Sequence, residues 1–107
     1  MIRQDIDING YWNLIVVYDV YLGKKNTGFT YTDFSKKKSI IGISEVTSKE
    51  QFFNTLVHEA KHAQSDICKY YGIRENSEDA AELIAYIVQK MWEDFEILLQ
   101  VKYNEYY

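Results

Sequence analysis

Residues 58–62 read His-Glu-Ala-Lys-His, and they constrain the fold more than any other stretch of the chain. In an α-helix, side chains four residues apart lie on one face, so His58 and His62 converge if this segment is helical. Two imidazoles at this spacing are typical ligands of one zinc ion, and Glu59 is then placed to act as general base on a zinc-bound water. The chain has two histidines, both in this motif. The pattern predicts a helix that carries a candidate zinc site.

The sequence around the motif also has the features of a long helix. Thr47 and Glu50 have the spacing of a capping box, and Gly72 is a typical residue just beyond a helix end. Between them, apolar residues recur at helical spacing, namely Phe52, Phe53, Leu56, Val57, Ala60, Ala63, Ile67 and Tyr71. We therefore predict a helix over residues 47–71. His58 and His62 lie on a polar stripe that adjoins its apolar side.

A second helix follows, and it supplies the candidates for a third metal ligand. Asn76 or Ser77 is suited to cap it, and apolar residues recur at helical spacing from Ala80 to Leu99. An open catalytic zinc site needs three protein ligands, and with no further histidine the third must be a carboxylate. Glu78 and Glu82, four residues apart, face the same way on this helix.

The N-terminal half has the pattern of a small sheet. Residues 11–22 are rich in β-branched and aromatic residues, which predicts a central strand, and residues 29–34 and 39–44 predict two more. Residues 1–10 are expected to form an edge strand or a loose arm. Because the connections are short, an antiparallel meander is the economical topology. The predicted fold is α+β, a small antiparallel sheet of about three strands followed by two long helices, in one domain spanning residues 1–107.

Composition and charge exclude several classes of protein. The formal net charge is −4, whereas nucleic-acid binders usually carry a basic surface, so no nucleic-acid partner is expected. The single cysteine, Cys68, excludes an intramolecular disulfide and a multi-cysteine zinc site. No stretch has the length of a membrane span, and the N-terminus lacks the apolar core of a signal peptide. We expect a soluble cytoplasmic protein with no membrane partner.

The two helices together resemble a known family. The His-Glu-x-x-His motif followed by Glu78-Asp79-Ala80-Ala81-Glu82 is similar to the gluzincin branch of zinc metallopeptidases, in which Glu-x-x-Ala-Asp or Glu-x-x-Ala-Asn follows the motif. The resemblance, which covers residues 58–82, implies that Glu78 is the third zinc ligand and that Glu82 supports a ligand histidine. Glu82 departs from the pattern, because glutamate is longer and can itself reach the metal. The interval from His62 to Glu82 also resembles that of thermolysin-like enzymes, so Glu82 stays an alternative ligand.

The resemblance implies a function. With zinc on His58, His62 and Glu78, Glu59 is expected to activate water for hydrolysis of a peptide or protein substrate. Tyr86 is the first candidate to donate a hydrogen bond to the tetrahedral intermediate, with Tyr70 and Tyr71 behind it. The strand Ile40–Ser44 is expected to offer its edge to an extended peptide.

A non-catalytic interpretation stays open beside the enzymatic one. The layout resembles small phage- or prophage-encoded zincin-like proteins. Such a chain can be a binding or adaptor protein of phage or mobile-element origin that keeps the scaffold without turnover, and its small size favours this alternative.

Overall fold

Four β-strands precede two long α-helices in the computed structural model, which describes residues 2–20, 27–44 and 49–102. The elements are β1 (Ile2–Ile8), β2 (Trp12–Val20), β3 (Gly28–Asp33), β4 (Lys38–Ser44), α1 (Lys49–Tyr71) and α2 (Glu78–Lys102). A short 3-10 turn, Phe34–Lys36, joins β3 to β4. The α+β class and the two long helices after the sheet are confirmed.

The sheet is mixed, with the strand order β1-β2-β4-β3. The pairs β1–β2 and β3–β4 are antiparallel, whereas β2 and β4 run parallel. The predicted antiparallel meander of about three strands is therefore wrong in topology. Residues 2–8 add a fourth strand at one edge, and β3 lies at the other edge. The strand Ile40–Ser44, which was expected to offer a free edge, belongs to β4 and lies between β2 and β3.

The side chains of β3 and β4 explain this order. In β4, residues 41–44 are all buried, which suits a strand in the interior of the sheet. In β3, the half-buried Thr30 alternates with the exposed Phe29 and Tyr31, which suits an edge. In chain order the edge strand β3 therefore follows β2, and the more apolar strand β4 then pairs between β2 and β3.

One face of the sheet packs against both helices and forms the core. Helix α1 lies over β3 and β4, and α2 contacts α1 and β1. The buried apolar side chains of this layer come from every element except β3; they are Ile6, Ile8, Trp12, Leu14, Val16, Tyr18, Ile41, Ile43, Phe52, Leu56, Ala60, Ala63, Ile67, Cys68, Ala80, Leu83, Ile87 and Met91. Within the described ranges, neither helix is long and apolar enough to cross a membrane.

The helix boundaries depend on local backbone chemistry. Gly72 follows α1 with φ of +69°, a conformation that favours glycine and ends the helix as predicted. Ser77 Oγ accepts a hydrogen bond of 3.2 Å from the backbone N–H of Ala80, so Ser77 rather than Asn76 caps α2. The proposed capping residue Thr47 lies outside the described residues.

The cap of α2 gives a stability prediction. Ser77→Ala removes the acceptor for the Ala80 N–H and should lower the free energy of unfolding by about 1 kcal/mol, measured by urea denaturation. Asn76→Ala is the matched control, since its side chain does not cap the helix, and it should change stability by less than about 0.5 kcal/mol. Equal effects of the two substitutions would contradict the assignment of the cap.

Candidate functional site

The two histidines of the motif converge on the outer side of α1. His58 Nε2 and His62 Nε2 are 3.2 Å apart. Two nitrogen ligands at zinc distances in a tetrahedral arrangement are separated by about 3.3 Å, so the pair fits two positions of one zinc ion. Without a metal, the same approach is a hydrogen bond in which one ring donates and the other accepts. The His58 side chain is 66% exposed, so the pair is open to solvent.

Glu59 lies beside the histidines but points into the protein. It is only 6% exposed, and its Oε1 accepts a 2.7 Å hydrogen bond from the hydroxyl of Thr30 on β3. The same hydroxyl lies 3.1 Å from the Glu59 backbone carbonyl. The second carboxylate oxygen, Oε2, is 4.0 Å from His58 Nε2. Glu59 therefore has one oxygen anchored on the sheet and the other directed towards the histidine pair.

Gly28 allows β3 to approach α1 this closely. A Cβ at this position would lie 2.8 Å from Thr55 Cγ2 and 2.9 Å from Glu59 Cγ. Both distances are shorter than carbon atoms tolerate, so any larger residue must displace one of these side chains. The absence of a side chain at Gly28 thus leaves space for the general-base candidate.

A second hydrogen-bonded contact joins the same strand and helix further along. Thr32 Oγ1 donates to Asp66 Oδ2 at 2.7 Å and lies 2.8 Å from Ser39 Oγ, which in turn accepts from Trp12 Nε1 at 3.1 Å. With Thr32 donating to the carboxylate, Ser39 must donate to Thr32. The chain of donors runs from the buried indole to Asp66, so a second carboxylate of α1 is held by β3.

The structure does not bring the predicted third ligands to the histidines. Among the side chains that the structure describes, no three His, Cys, Asp or Glu residues are grouped so that they could share a metal ion. Glu78 is the exposed first residue of α2. Glu82 lines a surface pocket with Asp79 and Tyr86, against the β1–β2 turn. The two imidazoles are spaced as two zinc ligands would be, but neither Glu78 nor Glu82 lies beside them to serve as the third ligand.

Glu75, in the connection between the two helices, does reach α1. Glu75 Oε2 accepts hydrogen bonds from Lys61 Nζ at 3.2 Å and from Ser65 Oγ at 3.1 Å. These bonds, from Lys61 first and then Ser65, hold the pKa of the Glu75 carboxyl below its usual value. Lys61, the fourth residue of the motif, therefore ties the connection between the helices to α1.

The candidate hydrogen-bond donors for an intermediate lie away from Glu59. The hydroxyl of Tyr86 donates to the carbonyl of Asp7 on β1, at the opposite edge of the sheet from Thr30. Three strand spacings separate those edges, about 14 Å. Tyr71 donates to the Tyr11 carbonyl, and Tyr70 stacks on Phe34, both about three turns beyond Glu59 along α1.

Comparison with protein-family models, with curated proteins and with solved structures gave no match.

Thr30 and Gly28 are the site residues that sequence reasoning missed. The signal for Thr30 was its place on the polar face of an alternating strand, but only the strand order shows that this face meets Glu59.

Gly28 gives the second prediction. Gly28→Ala should destabilise the protein by about 1–3 kcal/mol, because the added methyl group overlaps Thr55 and Glu59 in a close-packed interface. Thr55→Ser removes one of the two overlapping groups, so the double variant Gly28→Ala/Thr55→Ser should recover part of the loss. Urea denaturation of all three variants measures this coupling. Strictly additive effects would show that β3 and α1 are not in the described contact.

Proposed function

We propose that the protein is a zinc-dependent peptidase in which His58 and His62 bind the metal and Glu59 acts as general base. The observation that carries the proposal is the 3.2 Å approach of the two Nε2 atoms with the Glu59 carboxylate beside them. Two imidazoles and one adjacent carboxylate are the groups that metal-assisted hydrolysis needs from a single helix.

We propose Glu78 as the third ligand, with Glu82 as the alternative. Both are exposed and lie within the first five residues of α2, which follows the six-residue connection after α1. Glu82 is turned towards the β1–β2 turn, whereas Glu78 lies one turn nearer the connection. For Glu78 to reach the histidines, the start of α2 must move relative to α1. We therefore propose that this helix end rearranges when the metal binds.

In this mechanism the side chains of α1 hold and move the proton. Bound zinc would supply a Lewis acid that polarises the scissile carbonyl. Glu59 Oε2, the oxygen directed towards His58, takes the proton from the attacking water and passes it to the leaving amine. Its low exposure keeps this carboxylate away from bulk water. No step is assigned to Tyr86, since its hydroxyl is bonded at the far edge of the sheet.

The substrate class follows from the edge of the sheet beside the motif. Strand β3 pairs only with β4 among the described strands, so its outer edge is available to an extended peptide. A peptide added to this edge would lie next to Thr30 and therefore next to Glu59. We propose an extended peptide or an unfolded protein segment as the substrate. We also propose that the protein acts in the cytoplasm.

A second candidate function is a non-catalytic binding or adaptor protein of phage or mobile-element origin. The observation that favours it is the missing third carboxylate: within the described residues, none stands with the two histidines as a metal-binding group. In this case the histidine pair is a hydrogen-bonded surface feature and β3 binds a partner without cleaving it.

Zinc binding tests the first requirement of the enzymatic proposal. The protein should bind one zinc ion per chain, and His58→Ala or His62→Ala should weaken binding by more than about a hundredfold, since each removes a ligand. Isothermal titration with zinc measures both values. Glu78→Gln against Glu82→Gln is the matched pair for the third ligand, and the larger loss is expected for Glu78→Gln. A parent protein that takes up no zinc would contradict the proposal.

Glu59→Gln separates the two candidate functions. The substitution keeps the size of the side chain but leaves an amide that cannot accept a proton. The variant should therefore bind zinc as the parent does and should lose peptide cleavage by at least about a thousandfold. A peptide library analysed by mass spectrometry provides the substrates. A zinc-loaded parent that cleaves no member of the library would favour the adaptor function.

A further inference from the structure

The best-defined contact of Glu59 is with the sheet, through the hydroxyl of Thr30. Thr30 Oγ1 is 2.7 Å from Glu59 Oε1 and 3.1 Å from the Glu59 carbonyl. Threonine has one hydroxyl proton, and the shorter contact is with the carboxylate, so the hydrogen bond is directed mainly to Oε1. No other hydrogen bond to this carboxylate occurs among the contacts of the described residues.

The burial of Glu59 makes this bond matter. A carboxylate that is 6% exposed is largely shielded from water that could donate hydrogen bonds to it. A buried carboxylate without a hydrogen-bond donor raises the free energy of the folded state. If Oε1 lost its donor, the Glu59 side chain would regain hydration of its carboxylate by rotating outwards into water. Gly28, where a Cβ would come within 2.9 Å of Glu59 Cγ, defines the space that the side chain occupies in its inward position.

We infer that Thr30 is a positioning residue for the general base: its hydroxyl fixes Oε1 of Glu59 and so presents Oε2 to the side of the histidine pair. This inference rests on the proposed peptidase function and deepens it. Thr30 does not touch the metal ligands or transfer a proton. It acts by restricting Glu59 to the one orientation in which its free oxygen lies 4.0 Å from His58 Nε2.

The chain contains a matched control for this role. Thr32 lies two residues along the same strand, faces the same helix and holds a different carboxylate, Asp66, at the same 2.7 Å. If the threonines only fasten β3 to α1, substitution of either should have the same effect on the site. If Thr30 positions the base, only its substitution should affect Glu59.

The test uses three variants of the full chain. Thr30→Val keeps the β-branched shape and removes the hydroxyl, Thr30→Ser keeps the hydroxyl, and Thr32→Val is the control. The first measurement requires no metal and no substrate: carboxyl groups are labelled with a carbodiimide and an amine, and labelling of Glu59 is located by mass spectrometry. Thr30→Val should raise labelling of Glu59 severalfold, whereas Thr30→Ser and Thr32→Val should leave it at the parent level.

The second measurement is hydrolysis by the zinc-loaded protein. Thr30→Val should lower kcat by about ten- to a hundredfold with little change in KM or in zinc affinity, and Thr30→Ser should restore most of the rate. Unchanged labelling and an unchanged kcat in Thr30→Val would overturn the positioning role while leaving the peptidase intact. Equal effects of Thr32→Val and Thr30→Val would show a merely structural role and overturn it too. A parent that binds zinc and cleaves nothing overturns the peptidase function itself, and with it the role of Thr30.

Discussion

The close contact between strand β3 and helix α1 is the constraint on which the candidate site depends. Gly28 lets the two elements approach, and Thr30 and Thr32 each donate a hydrogen bond to a carboxylate of the helix. Without the Thr30 hydroxyl, the buried Glu59 carboxylate would lie against the sheet with an unsatisfied oxygen, which costs free energy. The same bonds that make the interface stable therefore fix the orientation of the motif glutamate.

The strand order sets where this contact can form. Because β4 fills the interior beside β2, β3 is left at the edge, under the polar side of α1. Helix α2 packs near the opposite edge of the sheet, where the Tyr86 hydroxyl donates to a backbone carbonyl of β1. The molecule thus has a half that carries the histidines and Glu59, and a half that carries Glu82 and Tyr86. In the proposed metal site, Glu78 or Glu82 would have to move towards the histidines to become the third ligand.

The part of the site that lies on one helix could be predicted from the sequence, because helical spacing is a local property. The convergence of His58 and His62 follows from their separation by four residues, and the end of α1 follows from Gly72. The sequence placed the start of α2 at Asn76 or Ser77, and Ser77 is the cap. The parallel pairing of β2 and β4 could not be predicted in this way, since it depends on which strand is best buried across the whole sheet. For the same reason the role of Thr30 was not visible: its partner lies 29 residues away. The choice between Glu78 and Glu82 stays a prediction.

A crystal structure of the protein, from crystals grown with zinc, would show directly whether the histidine pair binds the metal. One anomalous scattering peak is expected about 2.1 Å from both His58 Nε2 and His62 Nε2, with Glu59 still accepting the hydrogen bond from Thr30. A carboxylate from the start of α2 should complete the set of ligands. Zinc bound elsewhere, or histidines that stay metal-free at saturating zinc, would contradict the proposed metal site. A Glu59 side chain turned away from Thr30 would contradict the proposed orientation of the general base.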